Sequence, residues 1–186
     1  MRLRLLLSVL LLTACGGSET NDQPLSVRGW VTDVAGAKTA ETYEQEIARR
    51  ATLFTSTSLW VENAEQASGG MAENGAFIVL DVPHGSPTLG FNAPGAEAAK
   101  IEMQNIPGGA DVFIPNVILQ NGGAKVLDPK AILIRVPSSV DQARANGQMA
   151  TVAGYPVRVI ETPYAQMGDR RDYPNPGGFR PVATVK

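Results

Sequence analysis

From Leu25 onward the chain consists largely of short apolar runs separated by turn-forming residues, and this pattern restricts its fold most. The runs are rich in Val, Ile, Leu and Phe, and Asn-Gly, Pro-Gly and Gly-Gly pairs lie between them. They read VRGWVTDV, TSLWVEN, AFIVLDV, TLGF, DVFIPNVIL, AKVL, AILIRV and PVRVIE. Short strands with regular turn signals are typical of a β-sandwich. We therefore expect a mainly β, antiparallel β-sandwich over residues 26–137.

Two hairpins are expected within this sandwich. In Ile118–Leu127 an Asn-Gly pair separates two apolar runs, and both residues tolerate the positive φ angles of tight turns. A second hairpin is expected to join LWVEN to AFIVLDV across Ala64–Gly75. The run Phe77–Val82 is apolar at successive positions, which indicates a strand covered on both faces.

One stretch, Thr39–Phe54, departs from the strand pattern and predicts a helix. Thr42 and Gln45 have the spacing of a capping box. We expect a short helix from about Glu41 to Thr52, whose apolar side covers the sandwich. That side consists of Tyr43, Ile47, Ala51 and Phe54, at three- to four-residue spacing.

The first residues have the layout of a secretory signal peptide. Arg2 and Arg4 precede an apolar run of eight residues, Leu5–Leu12, and small residues follow. The run is too short to cross a bilayer, which takes about 20 apolar residues. Residues 1–14 are therefore predicted to be removed.

The end of this segment, Leu-Thr-Ala-Cys, resembles the lipobox of bacterial lipoproteins. The resemblance implies that Cys15 becomes the first residue of the mature chain and carries the attached lipid. Two or three acyl chains hold a protein on a membrane far more firmly than one. Gly16, rather than Asp, follows the cysteine, which by resemblance to sorting in Gram-negative bacteria favours the outer membrane. Cys15 is the only cysteine, so an intrachain disulfide is impossible.

Composition excludes nucleic acid as a partner. The chain has 16 basic and 18 acidic residues, and two of the basic ones lie in residues 1–14, so the mature net charge is −4. No basic run provides an electrostatic footprint for phosphates. Residues 15–25 read as a lipid anchor and flexible tether. Residues 138–186, polar and then rich in Pro and Gly, read as a C-terminal extension that wraps over the domain or binds a partner.

Three short motifs resemble the carboxypeptidase regulatory-like domain, a transthyretin-like β-sandwich. The match covers about sixty-five residues, Val27–Phe91, and implies an accessory module without catalytic residues. Its motif positions are Gly29, Val31, Asp33, Asn74, Gly75, Phe77, Pro83, Gly85 and Leu89. In that family the Pro-x-Gly is a reversal between two strands.

The stretch DVPHGS holds Asp81, His84 and Ser86, the residue types of a hydrolase relay. Known relays gather these groups from separate segments around an oxyanion hole, which six residues of strand and turn cannot do. We therefore expect an exposed turn histidine, and Gly85 with positive φ beside it.

Other chemistry has little support in the sequence. One histidine and one cysteine leave no zinc ligand set, and no phosphate-binding loop motif occurs. A Ca²⁺ site using Asp81 and Asp111 is conceivable, without EF-hand spacing to support it. Trp30 and Trp60 are expected in or beside the core, with a sugar-stacking platform as the alternative.

The sequence thus predicts a non-enzymatic lipoprotein of the cell envelope, without a cofactor, that acts as a binding or scaffolding module. It is expected to be anchored in the outer membrane and to face the periplasm, with an envelope protein or glycan as partner. The alternatives are a carbohydrate-binding module that uses exposed aromatics and, less favoured, a hydrolase of envelope polymers.

Overall fold

The computed structural model describes residues 22–37, 39–138 and 145–163, and the backbone of residues 180–181. It contains one α-helix, α1 (Tyr43–Thr55), and twelve strands within these residues. The strands are β1 (Leu25–Val34), β2 (Ser58–Val61), β3 (Ser68–Met71), β4 (Ala76–Val82), β5 (Thr88–Asn92), β6 (Ala99–Gln104), β7 (Asp111–Gln120), β8 (Gly123–Val126), β9 (Leu133–Pro137), β10 (Met149–Val152), β11 (Tyr155–Thr162) and β12 (Arg180–Pro181).

The strands form two packed layers, and the mainly β prediction is confirmed. Their hydrogen-bonded order is β12-β3-β4-β1-β7-β9-β11-β10-β6-β5-β2, and β8 pairs with β7 beyond the end of β9. The layers meet where Phe77 of β4 packs edge-on against Phe91 of β5, with ring centroids 5.3 Å apart. The core between them is apolar and includes the fully buried side chains Leu25, Val27, Leu89, Phe91, Ile101, Met103, Ile106, Ile114, Leu119 and Ile134.

The sandwich is not purely antiparallel, which differs from the prediction. β1 and β7 run parallel, and so do β9 and β11. Parallel neighbours need a long connection between them. The chain supplies it in both cases, since many residues separate β1 from β7 and a further strand, β10, lies between β9 and β11.

One predicted hairpin is confirmed and the other is wrong. β7 and β8 pair around the turn at Asn121 and Gly122, as expected. β2, however, pairs with β5 in the other layer, and β4 pairs with β3 and β1. The hairpin that ends in β4 begins in the short strand Ser68–Met71, whose SGGM sequence has too few apolar residues to be recognised as a strand.

The helix is confirmed, but it is oriented differently from the prediction. The capping box of Thr42 and Gln45 is present. Phe54 is buried, whereas Tyr43 is 78% exposed and Ile47 is also exposed, so these two residues do not cover the sandwich.

The side of α1 that faces the sandwich is charged over Glu46–Arg50, and Leu53 and Phe54 near its C-terminus pack on the core. Arg49 and Arg50 both donate hydrogen bonds to Glu46, and Arg50 also donates one to the carbonyl oxygen of Thr32 (3.3 Å). Both arginines lie within 4 Å of the carboxylate of Asp33. The hydrogen bond from Arg49, with those from the backbone of Ala40 and from Arg50, holds the pKa of Glu46 far below its usual value.

The motif glycine of β1 has a packing reason. Gly29 lies opposite Phe77 across the β1–β4 ladder. A Cβ atom at this position would collide with the backbone of Ile114 on one side and approach the Phe77 ring on the other. Gly29 therefore lets β1 pass closely between its two neighbours. Phe77 is buried, as predicted, and β4 is covered on both faces over Ala76–Val79.

The sandwich also extends beyond residue 137, where the sequence analysis placed its end. β10 and β11 belong to the sandwich, since β11 pairs with β9 and β10 pairs with β6. The residues of β10 and β11 that enter the core are Ala150, Val152, Val157 and Val159. Alternation of apolar and polar residues in these strands, rather than the prolines nearby, decides where they lie. The backbone of β12 returns to pair with β3 at the other side of the same layer.

A candidate binding face on the outer side of the sheet

The DVPHGS stretch consists of the last two residues of β4 and the turn that leads from β4 to β5. Gly85 has φ 91° and exchanges two backbone hydrogen bonds with Ile106, each 2.8 Å long. His84 is exposed, and its Nε2 lies 3.7 Å from the Oδ1 of Asp22. Among the described residues, the hydrogen bonds include none between Asp81, His84 and Ser86. The three residues do not form a relay in this structure.

The two tryptophans lie in different layers. Trp60 is 3% exposed, packs on Gly90, and donates a hydrogen bond from Nε1 to the side chain of Asn92 (3.2 Å). Trp30 is 37% exposed and meets Phe113 edge-on, with ring centroids 5.5 Å apart. The core prediction is therefore confirmed for Trp60, Trp30 lies at the surface, and the two cannot form one stacking platform.

A buried carboxylate organises the outer side of β1, β7 and β9. Asp111 is 5% exposed and accepts hydrogen bonds from three side chains. Arg28 donates through Nε and Nη2 (both 2.9 Å), Arg135 through Nη2 (2.7 Å), and the hydroxyl of Ser26 at 3.1 Å. Burial alone would raise the pKa of Asp111, but the hydrogen bonds and charge of Arg28, and then of Arg135, outweigh burial and lower it.

The surroundings of Asp111 do not suit the Ca²⁺ ligand role that the sequence analysis considered for it. Both oxygens of Asp111 already accept guanidinium hydrogen bonds, so a cation would have to displace an arginine. Within the described ranges, no group of three or more His, Cys, Asp or Glu side chains could hold a metal ion. The predicted lipid-attachment residue, Cys15, lies outside the described residues.

Side chains around Asp111 form two rows across the strands. Their sequence neighbours Val27, Val112, Ile134 and Val159 are all fully buried, so the rows lie on the opposite, outer side of the sheet. The first row, from β1 to β10, is Arg28, Phe113, Leu133, Arg158 and Met149. The second, from β1 to β11, is Ser26, Asp111, Arg135 and Ile160. We call these nine residues, together with Trp30, the arginine–apolar face.

The arginine–apolar face combines exposed apolar groups with positive charge. Leu133, Ile160 and Met149 are between 37% and 52% exposed. Its positive charge at the surface comes mainly from Arg158, which is exposed, because the side chains of Arg28 and Arg135 are only 14% and 20% exposed. The guanidinium carbon of Arg28 also lies 5.0 Å from the centre of the Phe113 ring, a cation–π distance.

The face suits a broad partner better than a small ligand. A depression between Trp30, Phe113 and Ile78, within the described residues, has a volume of about 20 Å³. Small-molecule sites usually occupy about 300–1,000 Å³. An open groove of about 570 Å³ runs beside α1, between Arg49, Leu53 and Pro94, but it lacks the concentration of charge seen on the face.

The sequence shows only part of this face. Alternation in RVP and VRVIE places Arg135, Arg158 and Ile160 on one side of their strands. No local sequence pattern indicates that Arg28 and Arg135 meet at Asp111, because the two arginines are 83 and 24 positions from it in the sequence. The sequence analysis did not identify the face for that reason. The alternation of residues in the strands was the signal that could have indicated part of it.

No family model matches the chain, and no curated protein is significantly similar to it. Residue roles therefore follow from the geometry of the described residues.

Proposed function

We propose that this protein is a non-enzymatic lipoprotein of the bacterial cell envelope and that its sandwich is a binding module. In this proposal Cys15 carries the lipid that holds the chain on the outer membrane, and the domain faces the periplasm. The lipobox-like sequence and the similarity of Val27–Phe91 to a carboxypeptidase regulatory-like, transthyretin-like domain support it. No helix within the described residues has the length and apolar character needed to span a membrane.

The arginine–apolar face is the observation that carries the binding role. Arginine, methionine and aromatic residues are enriched in the cores of protein interfaces, and rigid anchors there supply most of the affinity. Arg28 and Arg135 are held in place by Asp111, so a partner need not order them. We propose that the partner is an envelope protein with an acidic and apolar surface, because such a surface complements the exposed Arg158 and the exposed side chains of Leu133 and Ile160.

Site-specific photocrosslinking in living cells tests this proposal. A photoreactive residue at Leu133 or Ile160 should give an adduct with one envelope protein, and the same residue at Ile47 should not. Ile47 is a matched control, since it is an exposed aliphatic residue on α1, outside the face. Arg158→Glu should abolish the adducts from Leu133 and Ile160. Adducts that form equally from Ile47, or that survive Arg158→Glu, would count against the proposal.

A glycan is the second candidate, and Trp30 favours it. Its ring is partly exposed beside Phe113, as an aromatic sugar platform requires. Because Trp60 is buried, binding of a glycan should change the fluorescence of Trp30 alone. Titration with envelope glycans should therefore quench the wild type and leave a Trp30→Phe variant unchanged. Absence of quenching in the wild type would exclude glycans in the titrated set.

A further inference from the structure

The chain enters the sandwich at one end, and backbone hydrogen bonds fix it there. Gly109 donates its N–H to the carbonyl oxygen of Gln23 (2.9 Å), and Ser26 donates to that of Ala110 (3.0 Å). The side chain of Asp22 also lies beside His84. We call the end formed by residues 22–24, 83–86 and 105–110 the anchor end.

The opposite end of β1 lies about 30 Å away. β1 has ten residues, and a strand rises about 3.3 Å per residue. The N–H of Ala35, just after β1, donates to the carbonyl oxygen of Leu119 (2.7 Å). Leu119 is close to the turn at Asn121 and Gly122, so this turn marks the far end.

We infer that the anchor end faces the membrane and that the arginine–apolar face is presented sideways to it. The inference rests on the proposed lipid attachment at Cys15. Six residues lie between Cys15 and Asp22, and the seven Cα-to-Cα steps from one to the other reach at most about 25 Å. The anchor end therefore stays within about 25 Å of the lipid, whereas the far end has room to lie about one strand length further away.

The tether alone holds the anchor end near the lipid. The surface of the anchor end has no features that attract lipid. Apart from Pro24, its exposed side chains are polar, and they include His84, Ser86 and Asn105. No lysine or arginine occurs in residues 22–24, 83–86 and 105–110, so anionic lipid gains little from contact with them. The strands of the arginine–apolar face run between the two ends of the domain. A partner must then approach from the side, as a protein in or on the same membrane would.

Energy transfer from two labelled positions to the lipid surface tests this orientation. The thiol of Cys15 is consumed by lipid attachment, so Ser86→Cys and Asn121→Cys each introduce one free thiol for a donor dye. The lipidated protein is placed in vesicles of phosphatidylethanolamine and phosphatidylglycerol that carry acceptor dyes on their headgroups. Transfer should be strong from Ser86→Cys and weak from Asn121→Cys. Equal transfer, or the reverse order, would overturn the inference.

Two controls distinguish a wrong orientation from a failure of the proposed lipid attachment. The mass of each purified protein shows whether lipid is attached, and a mass without lipid would overturn the anchoring itself. The same labels on soluble protein that starts at Ser18, which has neither leader nor lipid, should give only background transfer. Strong transfer from this soluble protein would show that the domain binds lipid by its own surface, which would contradict an orientation set by the tether.

Discussion

At the residue scale, Asp111 is the most consequential charge in the described chain. It is buried between Arg28 and Arg135, and removal of its charge would take from both guanidinium groups the carboxylate that they share. Breaking a buried ion pair from one side costs about 3–5 kcal/mol. We expect Asp111→Asn to reduce the free energy of unfolding by this amount in a urea titration. Asp33→Asn is the control, since its exposed pairs with α1 contribute about 0–1 kcal/mol.

The same residue predicts a pH dependence. The pKa of Asp111 is lowered on folding, so its contribution is complete above the unfolded value of about 3.9 and is lost as pH falls through the folded value. The stability difference between wild type and Asp111→Asn should therefore be constant from pH 7 to about pH 4 and shrink below it. A difference that instead shrinks near neutral pH would contradict the assignment.

Substitutions at three residues around the DVPHGS turn should reduce the stability of the protein by different amounts. Phe77→Ala removes a buried ring that packs on Phe91 and should cost about 3–5 kcal/mol. Gly85→Val forces a β-branched residue to φ 91°, although space for its Cβ exists, so we expect a smaller loss. His84→Ala should cost least, because His84 is exposed. Thermal melts of soluble protein that starts at Ser18 would show this order, and a largest effect at His84 would refute it.

At the element scale, α1 shows where hydrophobic spacing misleads. Its spacing predicted the helix and its cap correctly, but the charged residues Glu46, Arg49 and Arg50 face the sandwich instead of Tyr43 and Ile47. Asp33 and the carbonyl group of Thr32 provide the polar partners for this side of α1. Those partners lie in β1, so the sequence of the helix alone could not indicate them.

This orientation makes a testable contrast within one helix. Phe54→Ala should destabilise the protein by about 3–5 kcal/mol, because Phe54 is buried. Ile47→Ala should change the free energy of unfolding by less than about 0.5 kcal/mol, as exposed positions usually do. Chemical denaturation of both variants measures the difference. A similar loss from the two would mean that both sides of α1 pack on the sandwich.

Strand pairing was the part of the fold least accessible from sequence. The Asn-Gly hairpin at Asn121 was predictable because its turn chemistry is local. β2 was assigned the wrong neighbour, since its partner β5 follows two further strands and no local signal connects them. Asp111 was singled out in the sequence only as a conceivable calcium ligand, because its arginine partners are distant along the chain.

At the scale of the whole molecule, anchoring by lipid decides where the domain acts. If Cys15 is the attachment residue, wild-type cells grown with labelled fatty acid should yield labelled protein in the membrane fraction. Cys15→Ser should abolish the label and leave an unprocessed or mis-processed chain, because the thioether cannot form. Equal labelling of the two proteins would contradict the lipid assignment.

The strands from β1 to β11 form one unit, and the arginine–apolar face on the outer side of their sheet is the surface proposed to bind a partner. Two double variants compare that surface with the exposed apolar pair Tyr43 and Ile47 on α1. Leu133→Asp with Ile160→Asp adds two charges to the arginine–apolar face. Tyr43→Asp with Ile47→Asp adds the same two charges to α1. Thermal melts should first show that both variants are folded.

The decisive measurement is the yield of the envelope adduct from a photoreactive residue at Met149, which lies within the face. We predict that the Leu133→Asp, Ile160→Asp variant loses about tenfold or more of this yield, a change equivalent to about 1.4 kcal/mol of binding free energy. The Tyr43→Asp, Ile47→Asp variant should retain the wild-type yield. Loss in the helix variant with retention in the face variant would contradict the proposed binding face.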